Sequence, residues 1–174
     1  MTSLLRAEWL KIKNFKPFWV VSCAYPFCLA GIVGMSLWGQ GRVQEMASGT
    51  KAAGTVASNL PFGYPTVWHS VAYIASWLHV IAAALLILHT TNEFNFRTHR
   101  QNLLEGWSRA QFMMAKLGLA LAISIACTVN VVVFSVTAGA YTGMAPSPVG
   151  GSFVLLFLLQ CVVYQVLALL MAFV

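Results

Sequence analysis

Long apolar runs alternate along this chain with shorter polar stretches. Four runs are nearly free of charge: Phe18 to Trp38, Val71 to Thr91, Phe112 to Ala138 with one charge near its start, and Phe153 to Val174. At about 1.5 Å of helical rise per residue, each covers roughly 30 Å or more, the hydrocarbon thickness of a bilayer. A spanning segment must satisfy its own backbone N–H and C=O groups, and these runs are about twice as long as a barrel strand. The predicted fold class is therefore all-α: a polytopic membrane helix bundle of four transmembrane helices in a single transmembrane domain, 1–174. The spans are placed at 18–38, 71–91, 112–138 and 153–174, joined by loops at 39–70, 92–111 and 139–152. Gly39 to Thr66, rich in Gly, Ser, Ala and Thr with Pro61 and Pro65 near its end, is expected to be irregular. The first run is too long for a typical signal core and lacks a small-x-small exit, so it is expected to stay as an anchor.

Composition agrees: 59% of the 174 residues are hydrophobic and 8% are charged, more apolar surface than a soluble domain of this size can bury. The net charge of +6 is concentrated on one side. Arg6, Lys11, Lys13 and Lys16 precede the first span, and Arg97, Arg100 and Arg109 separate the second from the third, with Lys116 at the start of the third. Arg42 and Lys51 alone lie between the first two spans, and 139–152 carries no cation. Cytoplasmic loops retain positive charge, which predicts a cytoplasmic N-terminus and a cytoplasmic loop at 92–111, with 39–70 and 139–152 outside. This charge reads as topology and contact with membrane lipid headgroups; no aromatic-interleaved basic stretch suggests nucleic acid. Cys23, Cys28, Cys127 and Cys161 all fall within predicted spans without a C-x-x-C pair and read as small packing residues.

Two segments outside the spans have a pattern of their own. Leu5, Trp9 and Ile12 recur at helical spacing while Arg6, Lys11 and Lys13 point elsewhere, which predicts an interfacial amphipathic helix over 1–17 ending at Pro17. Glu8 falls among its apolar positions and needs a basic partner. From Asn92 to Lys116 the chain mixes charges with Phe94, Phe96, Leu103, Leu104, Trp107 and Phe112. Such a segment can pack an apolar side on the helix ends and present polar groups to a soluble partner.

On these residues the chain resembles the permeases of ABC type-2 exporters. An A-E-x-x-K pattern marks the elbow helix of that family, matched by Ala7, Glu8 and Lys11. After the second span the family shows an acid, a Thr, a Leu, Gly-x-Ser-Arg and a Lys, at separations where Glu93, Thr98, Leu103, Gly106, Ser108, Arg109 and Lys116 stand. The resemblance implies a cytoplasmic coupling helix at 93–116 that docks on a separate ATP-binding subunit, with Arg100 and Glu105 as further candidate contacts. It also implies a homodimer or heterodimer of permeases and a bacterial inner-membrane location. Family members usually have six spans, so a full-length relative would carry two more than are read here. No G-x-x-x-x-G-K-[ST] occurs, so ATP and Mg are expected on the partner and no cofactor in this chain.

Deep in the predicted spans, Asn130, Gln160 and Gln165 are candidates for a substrate pathway or for interhelical hydrogen bonds. Gly118, Ala122, Ala126 and Asn130 recur every fourth residue, a ridge suited to close helix packing. His79, near mid-span, is expected to be hydrogen-bonded within the bundle, since no His, Asp or Glu in the other spans could complete a metal or haem site. The four acids, Glu8, Glu45, Glu93 and Glu105, form no titratable cluster within a span, so a non-catalytic chain is expected. The competing reading is a non-transporting polytopic protein: an assembly factor, an anchor or a sensor.

Overall fold

The computed structural model describes residues 16–49, 61–95, 108–143 and 151–173. They form four helices: α1, Lys16–Ala47; α2, Val67–Asn95; α3, Arg109–Tyr141; and α4, Gly151–Phe173. All four are long and apolar enough to span a membrane, and no strand occurs among the described residues. The expected helix over 1–17, with Glu8 and Lys11, lies outside the described residues except for its last two positions. Thr98, Arg100 and Glu105 lie outside them altogether.

The helices outlast the apolar runs that predict them. α1 continues through Gly39 and Gly41 to Ala47, so the expected irregular loop begins later than its glycines suggest. Each glycine costs a helix interior about 1 kcal/mol, but Gln40, Gln44, Glu45, Met46 and Ala47 are good helix formers. Arg42 and Glu45 add an i,i+3 ion pair at 3.3 Å. At its other end α1 starts at Lys16 with Pro17 in the first turn, where the missing N–H costs nothing. Pro26 sits within α1 and withholds the hydrogen bond that Ser22 would otherwise accept.

α3 begins before its apolar run because Ser108 and Gln111 form a capping box. Ser108 Oγ accepts the Gln111 N–H at 3.2 Å, and the Gln111 side chain accepts the Ser108 N–H at 2.9 Å. α3 ends at Tyr141, and Gly143 follows at φ 70°, with its N–H donated to Ala140 at 3.2 Å. A left-handed residue just past a helix is the usual stop, and glycine adopts it without strain.

The described residues fall into two compact units. One takes the chain up to Tyr25, His79–Cys127 and the chain from Leu158; the other takes Pro26–Leu78 and Thr128–Phe157. In the first unit Leu86, Leu119, Ala120 and Leu169 form a buried core, with Phe18, Ile123 and Phe173 packed against it. All four helices thus contribute to one layer. α2 and α4 run in the same direction there, since His79 meets Cys161, Leu86 meets Leu169 and Phe94 meets Phe173; α3 runs opposite, pairing Lys116 with Glu93. In the second unit Trp68 and His69 pack against Phe153, and Tyr64 lies against Gly139.

Large apolar side chains cover the outside: Phe27 is 81% exposed, Met35 75% and Leu155 66%. An apolar exterior around a partly polar interior reverses the arrangement of a soluble domain and is what hydrocarbon solvent demands. The Gly118 to Asn130 ridge is not the most buried face of α3 among the described residues. Ala122 and Ala126 are exposed and Gly118 and Asn130 only half-buried, while Leu119, Ala120 and Cys127 carry the contacts of α3 within the chain. One position along a helix is a rotation of about 100°, enough to separate the two faces.

Candidate functional site

Two polar constellations lie in the first unit. One joins the C-terminal end of α2 to the first turns of α3. Glu93 is on the last turn of α2, where a carboxylate faces the negative pole of the helix. Lys116, two turns into α3, meets it: Lys116 Nζ stands 2.7 Å from Glu93 Oε2. Lys116 is 0% exposed and Glu93 6%. At that distance the two groups form a direct ion pair, and in so dry a place each charge depends on the other.

Aromatic and imidazole groups surround the pair. Lys116 Nζ is 5.5 Å from the centre of the Phe112 ring, one turn back on α3, a cation–π contact. Phe94, Phe112 and Phe173 form an edge-to-face trio, with centroids 5.7 to 6.5 Å apart, that ties α2, α3 and α4 together. His89 is buried one turn before Glu93, with Nε2 3.9 Å from Glu93 Oε1, close enough for electrostatic interaction and too far for a hydrogen bond.

Of the residues expected to frame a coupling region, Glu93 and Lys116 are thus brought together. Arg109 supplies the first residue of α3. Ser108 has a local task, because its hydroxyl accepts the Gln111 N–H in the capping box. His89 has no part in the sequence-based expectations, although its i,i+4 spacing to Glu93 is a signal that could have found it.

The second constellation gathers side chains from all four helices. His79 Nε2 is 2.7 Å from Cys161 Sγ, between α2 and α4. Tyr25 of α1 packs edge-on to His79, with ring centroids 6.4 Å apart. Its hydroxyl lies beside the Cys127 thiol of α3 without reaching hydrogen-bond geometry. Tyr164 stacks on His79, with ring centroids 5.5 Å apart. His79 is hydrogen-bonded within its unit, as expected, and Cys161 is a polar partner to it where packing alone was expected. Among the described residues no group of three His, Cys, Asp or Glu side chains could hold a metal ion.

The three span amides divide. Asn130 and Gln160 are half-buried. Gln165, one turn beyond Cys161, is 0% exposed, and neither end of its carboxamide meets a hydrogen-bonding partner. Set beside known proteins, this polytopic helical bundle matches no family model, no curated protein and no solved structure.

Proposed function

We propose that this chain is the permease subunit of an ATP-driven exporter of the ABC type-2 kind, forming the translocation path and coupling to a separate ATP-binding subunit. The observation that carries the reading is the buried Glu93–Lys116 pair. It fastens the end of α2 to the start of α3, within residues 93–116, the stretch whose sequence resembles a coupling helix. A partner that pushes on that segment needs helices that respond together. A 2.7 Å ion pair buried under an aromatic trio supports such a rigid connection. In this reading the N-terminus and residues 92–111 face the cytoplasm of a bacterial cell, and Asn130, Gln160 and Gln165 line or support the path. Two permeases, identical or not, would assemble with two ATPases, which carry the ATP and Mg. Nucleotide must bind the inward-facing and outward-facing states differently for hydrolysis to shift their populations.

The test is co-purification with candidate ATP-binding subunits, comparing the native chain with a variant carrying Glu105→Lys and Arg109→Glu and following ATP hydrolysis in lipid. Association and hydrolysis that depend on the loop charges support coupling. A well-folded chain that recruits no ATPase sinks it in favour of a non-transporting membrane protein.

A further inference from the structure

We propose that Gln165 is the centre of a binding site, within the first unit, for the uncharged hydroxyl or carboxamide group of an amphiphile. The inference begins from its side chain: Gln165 is fully buried, and both Oε1 and Nε2 lack partners. Buried amides are ordinarily satisfied, and more stringently where the surroundings are hydrocarbon.

Three helices fix what surrounds it. Along α4, Gln165 lies between Cys161, which meets His79, and Leu169, which meets Leu86. On α2 the same interval is centred on Ala82 and Ala83. On α3, Cys127 lies beside Tyr25 at the His79 level and Ala120 packs with Leu86, so Ser124 stands level with Gln165. The buried residues facing this level, Ala82 and Ser124, are small. The Ser124 hydroxyl donates to the Ala120 carbonyl at 2.9 Å.

The carboxamide presents two N–H donors and an acceptor oxygen, so its complement must both accept and donate. A hydroxyl or a primary amide does this; an ester or ketone satisfies one end only. A charged group is disfavoured, because Glu93 and Lys116 engage each other more than two turns away and offer it no counter-ion. Leu86, Leu169, Phe18 and Phe173 offer apolar contact to one side, which suits the chain of an amphiphile.

The inference rests on the permease reading only in treating the interior of the spans as a place for ligand, and its test needs no ATP-binding subunit, so either can fail alone. The full chain in detergent is unfolded thermally with octanamide or with nonan-2-one, which has the same shape and an acceptor but no N–H. Octanamide should raise Tm saturably and nonan-2-one should not. Gln165→Leu should be at least as stable as the native chain without ligand and should lose the octanamide response; Gln165→Met serves if the leucine variant does not fold. Equal responses to the two compounds, no response to octanamide, or an undiminished response in the substituted chain would overturn the site.

Discussion

The ring of Tyr64 occupies the space where any side chain on Gly139 would have to stand. Tyr64 comes from the segment leading into α2 and Gly139 from the last turns of α3. Here glycine is required by close approach, not by backbone angle. Gly139→Ala is expected to force the ring aside and lower stability by about 1–3 kcal/mol, the usual cost of overpacking. A thermal unfolding series in detergent checks this, and Tyr64→Ala in the same chain should restore much of the loss.

Breaking the buried pair from one side should be costly. Lys116→Met leaves the Glu93 carboxylate buried without its cation, for an expected loss of about 3–5 kcal/mol. Lys116→Met combined with Glu93→Leu should be far less damaging than either change alone. Additive losses in the double-mutant cycle would show that the two side chains do not interact.

At the start of α3, Ser108→Ala removes the acceptor of the Gln111 N–H and should cost about 1 kcal/mol. Ser108→Asp should retain most of the stability, because a carboxylate caps equally well. Hydrogen exchange at the Gln111 amide separates a local fraying of the first turn from a global effect.

Cys161→Ala removes one polar contact of buried His79 and is expected to destabilise by about 1–3 kcal/mol. Cys161→Ser keeps a hydrogen-bonding atom there and should fall between native and alanine. Equal stability of the alanine variant and the native chain would reduce the contact to simple packing.

The four spanning helices among the described residues were legible in the sequence because spanning a bilayer imposes long charge-free runs, and Phe153 to Val174 is the plainest of them. Their ends were not, since polar helix formers such as Gln40 to Ala47 and the box at Ser108 extend a helix without extending its apolar run. Glu93 and Lys116 were named from their order along the chain, but their meeting depends on the antiparallel register of α2 and α3. Small residues at fourth positions in α3 do not mark its buried face within the chain, because size repeats on several faces at once and only contacts distinguish them. Cys161 was misjudged for a related reason: a thiol reads as apolar until an imidazole from another helix is placed beside it.

The depth of Lys116 also bears on how the chain enters a membrane. A lone lysine on a helix passing into hydrocarbon is penalised by about 2.5–3.5 kcal/mol, and its counter-ion belongs to the helix made just before it. Synthesis therefore delivers the carboxylate first and the ammonium second. α3 would partition most readily as the second arm of a hairpin with α2, and a chain whose second helix is withheld should hesitate at the third.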